Sequence, residues 1–111
     1  MKTIDIPEPI KFEWDSGNIN KNKIKHNVDY TDIEQVFSNE ELYFYPDEKH
    51  SSNKETRIIA YGHADNERNL IICFTLRNNS IRVISARDMD KKEWFKIGEK
   101  CDYNAWSHYR C

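Results

Sequence analysis

At 111 residues the chain is long enough for one domain around a single core and too short for two. Its 17 basic and 19 acidic side chains give a net charge of −2, which excludes a global cationic field and confines any nucleic-acid contact to a local patch. The opening MKTIDIPEPIKFEW has no apolar run, LIICF at 70–74 is far too short to cross a bilayer, and the three cysteines have no secretory context; the expectation is a cytoplasmic protein with reduced thiols and no membrane span.

Residues 1–11 contain Pro7 and Pro9, have no helical period and read as a loose lead-in. FEWD at 12–15 is a short extended piece that brings Phe12 and Trp14 to the core. Asp15, Ser16 or Asn18 can cap a helix over 18–26, NINKNKIKH, whose only apolar residues are Ile19 and Ile24, with Val28 just beyond; this predicts a surface helix with a narrow apolar seam. Lys21 with Lys25, and Asn22 with His26, form two neighbouring polar rows, one of them cationic. Such a face is ordinarily just solvated. TDIE at 31–34 reads as a capping box opening a second helix that ends near Ser38 and Asn39, with Ile33, Val36 and Phe37 on one side. LYFY at 42–45 is a strand stopped by Pro46, and PDEKHSSNK at 46–54 is a polar, aperiodic stretch expected to be mobile. In the strand over 55–63, Arg57, Ile59 and Tyr61 share one side and Ile58, Ala60 and Gly62 the other. Residues 64–69 then turn the chain.

The chain is organised around LIICFTLRNNSIRVISAR at 70–87, two strands (70–77 and 80–86) joined by Asn78 and Asn79. Asparagine tolerates positive φ, so this two-residue loop suits a type I′ turn. With Arg77 opposite Ser80, the expected pairs are Leu76 with Ile81, Thr75 with Arg82, Phe74 with Val83, Cys73 with Ile84 and Ile72 with Ser85. One face, Leu70, Ile72, Phe74, Leu76, Ile81 and Val83, is apolar and must be core. The other carries Ile71, Cys73, Ile84 and Ala86, together with Thr75 facing Arg82 and Arg77 at the edge, a grouping that suits an anion. Asp90 is the expected cap of a third helix running to about residue 100, with Glu93 at its third position, Met89 stapled to Trp94, and Ile97 and Cys101 at helical spacing. The tail at 101–111 is aromatic and aperiodic. The element order predicts an α+β fold: an antiparallel sheet with two N-terminal helices and one C-terminal helix.

Phe12-Glu13-Trp14-Asp15, then Asn22, Lys25 and His26, Phe37, Glu55 with Arg57, Gly62, and above all Ile81-Arg82-Val83-Ile84-Ser85-Ala86-Arg87 with Glu93 resemble the BrnT toxin family, in order and spacing, over about 12–99. The resemblance implies a RelE-like fold and a bacterial ribonuclease toxin of a type II toxin–antitoxin system. It implies as partners an RNA substrate and a DNA-binding antitoxin of the ribbon-helix-helix type, with a toxin dimer possible within that complex. Where the family carries glycine after Lys-His this chain has Asn27, and where it tends to carry a basic residue after the ISAR block this chain has Asp88.

Cutting RNA without a metal requires a base for the 2′-hydroxyl proton, an acid for the leaving 5′-oxygen, and cations to stabilise the phosphorane. The expected catalytic set is Lys25, His26, Arg57 and Arg82, with Thr75, Arg87 and Lys21 binding substrate and no metal or other cofactor. Each has a plainer reading. His26 can be a helix C-terminal histidine held by the dipole, Arg57 and Arg82 an ion-pair grid with Glu55 or Asp88, Arg87 an antitoxin contact and Thr75 a good strand former. Cys101, His108 and Cys111 do not make a zinc site by spacing, and His50 and His63 read as solvated. Trp14 and Trp94 read as core, and Trp106 as a contact residue in the tail. A non-catalytic module docking protein or RNA on the same fold is the competing expectation.

Overall fold

The computed structural model describes residues 9–39 and 42–93. At the turn, Asn78 and Asn79 both adopt positive φ, 53° and 63°, as a type I′ connection requires. They join β3 (Asn69–Arg77) to β4 (Ser80–Asp88), and the pairing follows the expected register from Arg77 opposite Ser80 through Phe74 opposite Val83. A bulge then intervenes. Cys73 pairs with Ser85 and Ile72 with Ala86, not with Ile84 and Ser85 as straight pairing predicts, so Ile84 is the extra residue. The physical reason is visible in the side chains. Strict alternation from Ile81 and Val83 would drive Ser85 and Arg87 into the core; the bulge instead puts Ala86 there, fully buried, and turns Arg87 outward beside Ile71. The expectation that Ala86 lies on the outer face is corrected accordingly.

β2 (Arg57–His63) pairs antiparallel with β3, and β1 (Tyr43–Pro46) pairs with β2, giving the order β1-β2-β3-β4. Together with two helices ahead of the sheet and a third starting at 91, this is the expected α+β architecture. One sheet face presents Phe44, Ile58, Ala60, Leu70, Ile72, Phe74, Ile81, Val83 and Ala86 to α2 (Tyr30–Ser38), whose Ile33, Val36 and Phe37 complete the core. Phe37 meets Phe74 edge-on, ring centroids 5.2 Å apart. The opposite face holds a smaller apolar cluster of Tyr43, Tyr61 and Ile71 with Tyr45, Ile59 and Met89. α2 does not use the expected capping box. It starts one residue before Thr31, its N-cap is Asp29 without a side-chain capping bond, and the Glu34 carboxylate accepts from Trp14 Nε1 at 3.3 Å instead.

α1 (Ser16–His26) is capped by Asp15, whose carboxylate accepts from the Asn18 amide while the Asn18 side chain accepts from the Asp15 amide. It was expected to dock through an apolar seam; it docks through amides. Ile24 is 84 % exposed, whereas Asn18 and Asn22 are buried against β4, the edge strand. Asn22 Oδ1 accepts from the Ala86 amide at 3.0 Å, Asn18 Nδ2 reaches the Val83 carbonyl at 3.5 Å, and Lys21 Nζ reaches the Ile84 carbonyl at 3.4 Å. Groups that an edge strand would leave unpaired are thus satisfied by helix side chains. The chain at 11–13 finishes the job: Phe12 forms a parallel bridge to Ile81, the Ile81 amide donates to the Lys11 carbonyl at 2.7 Å, and the Glu13 amide donates to the Ile81 carbonyl at 2.8 Å. Asn27 ends α1 in the left-handed region, φ 53°, a conformation asparagine tolerates nearly as glycine does. Arg68 ties this end down by donating to the carbonyls of His26 and Asn27 and pairing with Asp88.

Residues 46–54, expected to be mobile, carry a 3-10 turn at Glu48–His50 bonded to β2. The Asp90–Glu93 capping box forms, with reciprocal bonds of 2.8 and 3.1 Å. The expectations for Trp94, Ile97, Cys101, Trp106, His108, Cys111, the first part of the lead-in and the tail lie outside the described residues. Among the described residues no helix is long and apolar enough to cross a membrane.

Candidate functional site

Register alone assembles a row on the sheet face turned away from α2. Arg57 is opposite Thr75 and Thr75 is opposite Arg82, so the three side chains share that face on β2, β3 and β4. Two strand spacings separate the arginine backbones by about 10 Å, a gap that two extended guanidinium groups can close around a phosphate. Thr75 is only 6 % exposed, and its hydroxyl donates to the Thr56 carbonyl at 2.8 Å, which ties β3 to the start of β2 beneath Arg57. At this end of the sheet a cleft of about 350 Å³ reaches from Lys54, Glu55 and Thr75 to the core-facing Ile58 and Leu76, and neither Arg57 nor Arg82 lines it.

Carboxylates meet each arginine. Arg57 Nε donates to Glu55 at 2.9 Å; Arg82 bridges Glu13 at 3.2 Å and Asp15 at 2.9 Å; Arg77 also reaches Glu13, at 3.5 Å. The Asn18 amide, and then the Arg82 guanidinium, hold the Asp15 carboxyl below its ordinary range. Asp88, expected as one possible partner of this grid, pairs with Arg68 instead. Arg87 is held off the row by a bidentate pair with Glu93, both bonds 2.6 Å.

The turn at 47–51 is bound onto Arg57 itself. The Asp47 amide donates to the Arg57 carbonyl at 2.9 Å, the Arg57 amide donates to Ser51 Oγ at 2.9 Å, and Ser51 Oγ donates to the Asp47 carbonyl at 2.7 Å. The Asp47 carboxylate caps the turn by accepting from the His50 amide and also contacts His50 Nδ1, at 2.8 Å. Asp47 follows Pro46, the partner of Ile58, and its amide bonds to the Arg57 carbonyl, so by register its side chain shares the face of Arg57 and Cys73; burial pushes the half-buried Cys73 thiol up.

The helix residues stand elsewhere. α1 runs along β4, with Asp15 bonded to Arg82 at one end and the His26 carbonyl bonded, through Arg68, to the Asp88 end at the other. Eleven residues at 1.5 Å each put the His26 backbone about 16 Å from that of Asp15, so His26 and Lys25 do not converge with Arg57 and Arg82. Lys21 lies between them. Lys21 and Lys25 are exposed, and among the described residues neither has a carboxylate within ion-pair reach.

A family model described as the ribonuclease toxin BrnT of type II toxin–antitoxin systems matches residues 14–93. The chain belongs to the BrnT family. No curated protein matches it. The matched span of the BrnT model contains the arginine row, the His50 turn and the whole of α1. For a BrnT chain the structure thus divides the expected site residues in two: Arg57, Thr75 and Arg82 come together, while Lys21, Lys25 and His26 line α1 and Arg87 faces Glu93. Glu13, Asp15, Asp47 and His50 are neighbours of the row that the sequence does not assign to the site. In the FEWD block the available signal for Glu13 is alternation: packing Phe12 and Trp14 against the core turns Glu13 toward Arg82. His50, three residues after Asp47 on a short turn, was read as solvated; an Asp-x-x-His spacing before a strand carrying Arg57 was the available signal.

Burial, and then the hydroxyl of Tyr45, push the Tyr61 phenol far above its ordinary range, so it stays protonated.

Proposed function

We propose that this BrnT-family toxin cleaves RNA without a metal, by attack of a 2′-hydroxyl on the adjacent phosphate, at the row Arg57–Thr75–Arg82. The observation that carries the reading is the register: two arginines two strands apart on one face, in a chain of a ribonuclease family. Arg57 and Arg82 hold the non-bridging phosphate oxygens and stabilise charge on the phosphorane. Thr75 keeps the β2 backbone in place beneath Arg57. Lys21, Lys25 and His26 run along α1 as a contact line for the substrate strand leaving the reacting phosphate, and Arg87 contacts RNA or antitoxin once Glu93 releases it.

Carboxylate partners do not argue against this use. The Arg82, Glu13 and Asp15 side chains are 26 %, 35 % and 50 % exposed, and exposed pairs of this kind are worth about 0–1 kcal/mol each. A bidentate phosphate replaces them at little cost. In the cytoplasm the partner would be a DNA-binding antitoxin of the ribbon-helix-helix type, with a toxin dimer inside the complex; family membership and the FEWD and IRVISAR blocks support that expectation.

Incubating antitoxin-free protein with RNA and excess chelator tests the proposal. Cleavage lost in Arg57→Ala and Arg82→Ala, with 2′,3′-cyclic phosphate ends in the wild-type products, is the expected result. Intact RNA at high protein concentration would overturn it. The acidic balance of the chain, and Asp88 where the family tends to carry a basic residue, favour the second reading, a non-catalytic binding module, which predicts RNA retained but uncut in the same tubes.

A further inference from the structure

We infer that His50, oriented by Asp47, is the general base of the cleavage reaction; the inference rests on the ribonuclease reading of the arginine row. Among the described residues the proposed row holds cations and carboxylates and no imidazole, because His26 is at the far end of α1. The nearer histidine of the two is His50. Two hydrogen bonds fasten its turn to the Arg57 backbone and a third, from Ser51 Oγ to the Asp47 carbonyl, closes the turn, so the turn is fixed to the start of β2. By the β1–β2 register Asp47 shares the face of Arg57, and its side chain is only 12 % exposed, while the His50 side chain is 58 % exposed. A largely buried carboxylate holding one ring nitrogen of an open histidine leaves the other nitrogen free to take a proton.

With Nδ1–H donating to Asp47, the Nε2 lone pair takes the proton of the 2′-hydroxyl. The 2′-oxygen bonds to phosphorus, the bond from phosphorus to the 5′-oxygen breaks, and that oxygen takes a proton from water. The products are a 2′,3′-cyclic phosphate and a 5′-hydroxyl, with Asp47 facing the imidazolium formed on the way. Of the charged groups, Asp47 contacts His50 directly, Glu48 and Lys49 stand on its own turn, and Glu55 and Arg57 stand where β2 begins, the segment to which the turn is bonded.

The test is cleavage of a short RNA oligonucleotide by full-length, antitoxin-free protein with chelator, alongside RNA binding and thermal unfolding of each variant. His50→Ala and His50→Gln should lose on the order of 100-fold in rate while binding RNA and unfolding as wild type does. Added imidazole should restore part of the rate to His50→Ala and none to Arg82→Ala. Asp47→Asn should displace the acid limb of the pH–rate profile, which a carboxylate that only caps the turn would not do. Wild-type rates in both His50 variants, with Arg57→Ala and Arg82→Ala dead, overturn the inference and leave the arginine site standing. No cleavage by the wild type overturns the site and the base together.

Discussion

Replacing Asn22 by alanine isolates the unusual way α1 is held. Asn22 is 1 % exposed and spans two elements: its Oδ1 accepts from the Ala86 amide at 3.0 Å and its Nδ2 donates to the Asn18 carbonyl at 3.0 Å. The Asn18 carbonyl keeps its place in the helix ladder after truncation, so that loss is minor. The Ala86 amide does not. It sits in a fully buried residue of the edge strand, and an orphaned buried donor costs about 1–3 kcal/mol. At about 4 °C per kcal/mol for a chain of this size, the expected fall in Tm is about 4–12 °C. Urea unfolding should show a lower midpoint at unchanged slope, and hydrogen exchange should show the Ala86 amide losing protection. Ile24→Ala, on the same helix at 84 % exposure, is the control and should stay within about 0.5 kcal/mol of wild type. Equal effects of the two substitutions would refute the amide-docking argument and restore an apolar seam as the helix anchor.

Phe74→Ala, at a fully buried ring contacting Phe37 and Phe44, should cost about 3–5 kcal/mol in denaturant unfolding. Asn79→Val places a β-branched residue at φ 63° and should destabilise by about 1–2 kcal/mol, whereas Asn79→Gly should be neutral or mildly stabilising; calorimetry separates them. The Asp88 carboxyl is held low, first by hydrogen bonding to Arg68, and Asp15 by the Asn18 amide and Arg82. A carboxyl lower in the folded state than in the unfolded chain contributes stability that is present above about pH 4 and lost as pH falls through its folded value. Urea midpoints measured from pH 7 to 3 should therefore decline at the acid end, by less in Arg68→Gln than in wild type, and parallel curves would contradict the assignment.

The hairpin and its register near the turn were legible because φ > 0 at Asn78 and Asn79 permits one loop geometry and the apolar residues permit one face. The bulge was not legible by counting alternation from the turn, although the need to keep Arg87 out of the core was already in the residues. Helix α1 defeats hydropathy for a different reason: the groove along an edge strand offers unpaired backbone groups, and amides meet these better than Ile24 can. The TDIE pattern failed because the helix starts earlier and Glu34 finds the Trp14 indole. Of the site, what register dictates was readable, namely Arg57, Thr75 and Arg82 side by side. What depends on tertiary placement was not. The length of α1 carries His26 away from the row, and a short turn brings His50 toward it.

The sealing of β4 by α1 and the 11–13 stretch has a consequence for how copies of this toxin can associate. No second sheet can zip onto that side, because its backbone valences are already spent within the chain. The opposite margin, β1, offers four residues ending in proline, a poor template for growth. Assembly that continues strand by strand into a filament is therefore discouraged at both margins of the described sheet, and partners must come to its faces.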